Sequence, residues 1–341
     1  MPEHDGRKKN LLWLQSGGCG GCSMSLLCSQ APGLHAALEA ARINILWHPA
    51  MSLETGSEVM AIIDDIAEGR TKLDFLCLEG AVIKGPAGSG RFHLMAGGNG
   101  RSMMSVIETL AKRAGFVIGV GSCAAFGGIT AGGDNAVEAC GLAFEGNQKG
   151  GLLGGDSVSQ QGLPVVNIPG CPVHPDWVTE TLHHLSSGEM SVNHLDGFAR
   201  PLAITKNLVH HGCARNEYYE YKASAEEFSQ LGCMMENLGC KGTQAAGDCN
   251  LRPWNGPGSC TSGGYPCIAC TEPGFEEPGH DFLETPKIAG IPIGLPTDMP
   301  KAWFVALASL SKAATPRRLR ENAVSDRIIE RPAASLKGDS L

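Results

Sequence analysis

Short apolar runs recur along the first half of the chain, each set between polar or glycine-rich segments. Runs at Leu11 to Gln15, Asn44 to His48, Leu73 to Leu78, Phe116 to Val120 and Pro164 to Ile168 have the length of strands. Between them lie stretches with helical spacing. Ser57 to Gly69 carries Val59, Ile62, Ile63 and Ile66 on one stripe, and Ser102 to Ala114 carries Met103, Val106, Ile107 and Leu110 on another. A further helix is predicted from Pro175, a residue suited to a first helical position. Strand and helix in alternation predict an α/β fold with a doubly wound parallel sheet. The glycine-rich segment Gly127 to Gly155 reads as a long excursion between the fourth and fifth strands.

Past about Arg200 this pattern lapses. Residues 208–275 hold seven cysteines, many Gly and Pro, and one helix candidate, Ala223 to Leu231. So irregular a segment buries too little apolar surface to offset its ordering entropy unaided, and bound metal can supply the missing folding energy.

Composition sharpens this picture. The 341 residues are 43% hydrophobic and 18% charged, enough for one large or two smaller cores. Net charge is −8, with no basic cluster beyond short runs, which speaks against a nucleic-acid partner. No apolar run reaches the roughly 18 residues of a membrane span. MPEHDGRKKN runs straight into the first strand, leaving no room for a secretory leader or twin-arginine signal, so a cytoplasmic location is expected.

Fourteen cysteines in a cytosolic chain call for a role other than disulfides. Cys28, Cys77 and Cys140 lie in or beside apolar segments without a nearby partner and read as buried small hydrophobes. The other eleven fall in pairs or in Gly/Pro-framed turns and read as metal ligands. Four follow strand ends, where an open parallel sheet binds its ligands. Cys19 and Cys22 (SGGCGGC) follow the first strand, Cys123 (GSCAAFGG) the fourth and Cys171 (PGCP) the fifth, and Glu79 follows the third. A thioredoxin-type pair would leave Cys123 and Cys171 idle, zinc usually draws on two knuckles, and a flavin has no use for four thiolates. An iron-sulfur cluster uses all four, with glycines letting backbone N–H groups approach its sulfides.

A second group is His210 and Cys213 (VHHGCAR) with Cys233 and Cys240, His211 being the alternative imidazole. A third is Cys249, Cys267 and Cys270, with Cys260 as either a fourth ligand or a spare. His183, His184 and His194 read as surface residues.

At these residues the chain resembles the small subunit of NiFe hydrogenases. LWLQSGGCGGCSMSLL, GSCAAFGGI, PGCP, the HxxC element, LGCKG and PCIACTEP stand in that family's order. The resemblance implies a flavodoxin-like domain over 1–200 carrying a proximal 4Fe-4S cluster on Cys19, Cys22, Cys123 and Cys171. It implies an irregular cysteine-rich iron-sulfur domain over 201–285, with a distal 4Fe-4S cluster on His210, Cys213, Cys233 and Cys240. The medial cluster there falls to Cys249, Cys260, Cys267 and Cys270. A C-terminal extension, 286–341, follows, its end expected to be disordered. The implied role is one-electron relay for hydrogen oxidation on a partner large subunit that holds nickel, since this chain lacks the paired CxxC motifs for nickel and has no catalytic residue of its own.

Three departures from the family pattern matter. Cys233 and Cys240 are separated by six residues where five is commoner. Gly21 and Gly128 stand where oxygen-tolerant relatives carry two more cysteines, implying an ordinary four-cysteine proximal cluster. Cys260 stands where many relatives carry the proline that leaves a 3Fe-4S medial cluster, so a 4Fe-4S cluster is expected, with 3Fe-4S the alternative. Among relatives, the chain looks most like the cytoplasmic hydrogen-sensing subgroup, which signals to a histidine kinase, with a cytoplasmic uptake enzyme next. A dimer of heterodimers is the expected assembly.

Overall fold

The computed structural model describes residues 7–30, 32–95, 97–254 and 258–325; residues 326–341, where a disordered end is expected, lie outside them. The five predicted strands form one sheet. They are β1 (Lys9–Gln15), β2 (Ile43–Trp47), β3 (Phe75–Glu79), β4 (Phe116–Val120) and β5 (Val166–Ile168). Every pairing is parallel and the spatial order is β2-β1-β3-β4-β5, the flavodoxin-like doubly wound arrangement.

Both faces of this sheet are covered, as parallel strands require. Successive β1 side chains show it: Leu12 and Leu14 join one core, Leu11 and Trp13 the other. The first two helices, α1 (Gly21–Leu27) and α2 (Leu34–Ala40), lie on the Leu11 and Trp13 face. The Leu12 and Leu14 core is filled by α3 (Ser57–Ala67), which buries Val59, Met60, Ile63 and Ile66, and by α4 (Met103–Ala111). The predicted α4 stripe of Met103, Val106, Ile107 and Leu110 is buried throughout. Ser102 starts that helix by accepting the Ser105 backbone N–H at 3.2 Å. Two more helices follow strands of the sheet: α5 (Gly121–Phe126), directly after β4, and α6 (Pro175–Ser187), which packs beside α1 and α2. Pro175 opens α6 as predicted, and Gly188, in the left-handed conformation at φ 78°, closes it.

The Gly127 to Gly155 excursion folds back as a short helical turn and two small antiparallel pairs, one joining Val82–Ile83 to Ala139–Cys140. Cys77 and Cys140 are buried among apolar side chains as expected, whereas Cys28 is exposed and not the buried hydrophobe predicted. Cys28 directly follows α1 as its capping residue, at the end of a helix with only one face against the core.

Beyond residue 200 regular structure is sparse. A short helix, α7 (Asn216–Glu220), stands just before the predicted one, and Ala223 to Leu231 is not helical. There the Ala225 N–H is taken by the Cys233 carbonyl, and the Glu226 and Glu227 N–H groups by the Gln230 side chain. Those bonds replace the helical ladder. The extension adds α8 (Lys301–Ala314) and α9 (Arg317–Ala323).

Candidate iron-sulfur sites

The sheet brings its four cysteines to one crevice. In the order β2-β1-β3-β4-β5 the winding reverses between β1 and β3, and Cys19 and Cys22 leave β1 there. Glu79, the last residue of β3 and 2% exposed, fixes them. Its carboxylate accepts the Cys22 and Ser23 backbone N–H groups at 3.0 Å each, the Trp13 indole N–H at 3.2 Å, and the Ser23 hydroxyl. A buried acid thus caps the start of α1 and sets the position of Cys22. Close approach completes the crevice: a Cβ on Gly121, at φ +82°, would stand 2.5 Å from the Cys22 sulfur. Only glycine lets the β4 turn lie against that thiol.

Burial pushes the Cys22 thiol upward, and Glu79, Cys123 and Cys171 add to the shift. Burial likewise lifts Cys171 to about 11, with Cys123, Cys19 and Glu276 contributing. The Cys22 and Cys171 thiols are therefore close enough to the other sulfurs of the group to feel their repulsion. Such a set becomes a set of thiolates when cationic iron offsets that repulsion.

The third group surrounds a cavity of about 330 Å³ whose wall includes Cys249, Cys260, Cys267 and Cys270 with Trp177, Val209 and Ile268. One water needs roughly 15 Å³, so the space suits a far larger guest. Burial raises Cys249 to about 12, with Cys260 and Asp248 assisting; Cys270 rises to about 12 for the same reason, with Cys249 and Cys260 adding. Cys260 thus stands with the other three. This loop is tied to α6: the Trp177 indole N–H donates to Asp248 at 2.6 Å, and His174 Nε2 lies 2.9 Å from the Arg252 carbonyl. Because His174 Nδ1 accepts the Asp176 N–H at 3.2 Å, Nε2 carries the proton and donates.

The second group lines a narrower cavity formed by His210, Cys213, Cys233 and Cys240 with Arg215 and Tyr219. Here the two candidate imidazoles differ. His211, with 40% of its side chain exposed, has both ring nitrogens engaged: Nδ1 takes the Leu208 N–H at 3.3 Å and Nε2 meets Asp298 at 2.9 Å. His210, 14% exposed, has both ring nitrogens buried and neither in a hydrogen bond. A buried imidazole that makes no hydrogen bond, with Asp298 Oδ2 standing 3.5 Å from its Nε2, beside three thiols fits a metal ligand. Burial also lowers the His210 pKa, so the ring is neutral and its lone pair available. Burial lifts Cys233 to about 12, with Cys240 and Cys213 adding.

Two contacts join the three groups in a row. The Ser122 hydroxyl, next to Cys123, donates to the Cys270 carbonyl, and Cys171 shares the wall of the third group's cavity with Cys270, linking the first group to the third. The Cys267 backbone N–H donates to the Cys240 sulfur at 3.3 Å, linking the third to the second. Three thiol-lined sites, in the order first, third, second, therefore run from the sheet edge into the cysteine-rich region.

Two family models match the chain. Residues 19–185 match the family described as NADH ubiquinone oxidoreductase, 20 Kd subunit, and residues 206–283 match the C-terminal family of NiFe/NiFeSe hydrogenase small subunits. The periplasmic [NiFeSe] hydrogenase small subunit of Desulfomicrobium baculatum is 34% identical over 291 residues, 81% of this chain and 87% of that protein. The chain belongs to the NiFe hydrogenase small-subunit family. The F420 non-reducing hydrogenase II small subunit of Methanosarcina mazei is 32% identical over 306 residues, covering 82% of this chain and 77% of that one. Among solved structures, the actinobacterial-type NiFe-hydrogenase from Ralstonia eutropha superposes with a TM-score of 0.73 at 30% identity, covering 90% of each chain. As a member of this family the chain transfers electrons through three iron-sulfur clusters, and the hydrogen-activating centre is on its large partner. The three sites match that number.

Sequence reasoning did not find Asp248, His174, Arg252 or Asp298. Their types and spacing carry no motif, because each acts on a cysteine or histidine loop through contacts that only the folded chain creates.

Proposed function

We propose that the chain relays electrons, one at a time, from a proximal 4Fe-4S cluster through a medial to a distal 4Fe-4S cluster. Cys19, Cys22, Cys123 and Cys171 hold the first, and Cys249, Cys260, Cys267 and Cys270 the second. His210, Cys213, Cys233 and Cys240 hold the third. The observation that carries this reading is the row of sites, the first meeting the third where Cys171 and Cys270 share one cavity wall and the third meeting the second at Cys267–Cys240. His210 is assigned over His211 because its two ring nitrogens are buried and make no hydrogen bond, whereas both nitrogens of His211 do. The plain four-cysteine proximal cluster is supported by Gly128, at φ +52°, where a Cβ would meet the Cys123 backbone at 2.9 Å. Cys260, on the medial cavity wall, is assigned a fourth iron. A 3Fe-4S electron paramagnetic resonance signal from the medial site of intact oxidised complex would reject that fourth iron.

In this reading residues 1–200 form the proximal-cluster domain, 201–285 the medial and distal one, and 286–341 the extension. The chain is assigned to the cytoplasmic hydrogen-sensing type, with a histidine kinase as receiver and a dimer of heterodimers as assembly. Its support is the resemblance of its motif set to that subgroup. A cytoplasmic uptake enzyme feeding respiration is the second reading; the relatives described above are named as F420 non-reducing and periplasmic hydrogenases and not as sensors. Deleting the gene separates them: hydrogen-dependent induction of another hydrogenase is lost if the chain senses and survives if it serves uptake.

A further inference from the structure

The buried histidine of the distal site has a neighbour from outside the matched family segments. Asp298 lies in the extension, beyond the 206–283 match, on the stretch leading into α8. Packing brings it there. Leu295, Met299 and Phe304 pack with Tyr219, Met235, Cys233 and Cys240, and the Thr297 N–H donates to the Thr243 carbonyl at 3.1 Å. One residue back, the Gly242 carbonyl accepts the His210 N–H at 3.0 Å. The acid and the histidine are therefore held by adjoining links of one backbone segment.

Asp298 Oδ2 stands 2.9 Å from His211 Nε2 and 3.5 Å from His210 Nε2. The first is a hydrogen bond. The second falls short of one by a few tenths of an ångström, and His210 Nδ1 is buried with no hydrogen-bond partner. The His210 and His211 rings lie against each other, with centroids 4.6 Å apart. A histidine that binds a metal through one nitrogen usually donates the other N–H to a carboxylate, which fixes the ring and makes it a stronger donor.

We propose that Asp298 is the positioning residue of the distal site: with His210 Nδ1 on iron, Asp298 accepts the Nε2–H, and His211 holds Asp298 in place. This rests on the reading of His210 as the distal ligand. An anion tied to a ligating imidazole favours the oxidised cluster, so it lowers the distal reduction potential. The extension thus sets the potential at the end of the relay, using a residue outside the cysteine motifs.

The test is a potentiometric titration followed by electron paramagnetic resonance on the purified heterodimer, as wild type, Asp298→Asn, Asp298→Glu and His210→Ala. Expected for Asp298→Asn is a distal potential raised by the equivalent of about tenfold in the oxidised-to-reduced ratio, about 59 mV for one electron. Proximal and medial signals stay unchanged, and Asp298→Glu restores the wild-type value. Selective loss of the distal signal in Asp298→Asn, with retention in Asp298→Glu, supports the same role. An unchanged distal potential in Asp298→Asn overturns the proposal, as does equal distal loss in both Asp298 variants, which would make the residue a packing element. An intact distal signal in His210→Ala overturns instead the ligand assignment beneath it.

Discussion

The sheet region and the cysteine-rich region solve the same problem, holding thiolates around iron, with opposite means. Around β1 to β5 two large apolar cores hold the backbone, and Cys19, Cys22, Cys123 and Cys171 project from strand ends whose positions are already set. Beyond residue 206 the buried apolar groups are small and separate, such as Val209 with Ala245, or Ala225 with Met234 and Leu238, and cysteines pack among them. In the first region the fold makes the site. In the second, the site makes much of the fold.

Removing the clusters breaks this symmetry most strongly. Hydrogen exchange of iron-stripped protein is expected to show 206–285 losing protection while β1 to β5 keep theirs, because several kcal/mol of folding energy leave with the metal. Protection that survives evenly across both regions would sink the contrast. Next in size, Ile107→Ala, in the middle of the α4 stripe, should cost about 2–5 kcal/mol in urea unfolding of the sheet region. Iron content of the folded fraction should stay at the wild-type level.

Trp177→Phe probes the seam between the regions. It removes the donor to Asp248 beside Cys249, and is expected to cost about 1–2 kcal/mol and to lower medial occupancy more than distal, read by iron analysis and electron paramagnetic resonance. Smallest is the pairing of Asp74 with Arg7, which ties the start of β1 to the start of β3. Burial raises the Asp74 pKa, but the Arg7 and Asn10 hydrogen bonds outweigh it and hold the carboxyl below its ordinary 3.8. The folded value being depressed, the contribution is present above pH 3.8 and lost as pH falls through the folded value. Arg7→Gln should flatten that acid limb by about 1 kcal/mol or less, seen in melting curves taken across it.

Legibility in the sequence follows the same division. All five strands and the helices at Ser57, Ser102 and Pro175 show themselves because burial on a sheet imposes a period that local sequence must repeat. The proximal thiols were legible for a related reason, since strand ends predict a crevice. In the second region the cysteines mark themselves, but the backbone between them does not. Ala223 to Leu231 has a helical look that Gln230 and Cys233 override by taking its backbone N–H groups. Glu79 was readable as lining the crevice, though not as the cap of α1, because that role depends on four donors gathered from two elements. The α8 segment, KAWFVALASLSKAA, buries Phe304 and leaves Trp303 and Leu310 exposed, so its apolar residues mark no single stripe.

The central claim is that the three sites act in series, through Cys171–Cys270 and Cys267–Cys240. It is tested by mixing the purified heterodimer with hydrogen, freezing at short times and following each cluster by electron paramagnetic resonance, in wild type and in a Cys249→Ser, Cys267→Ser variant without the medial cluster. A series relay predicts that the variant's proximal cluster is reduced as in wild type while its distal cluster stays oxidised long after the wild-type distal cluster is reduced. Distal reduction at the wild-type rate in that variant would contradict it.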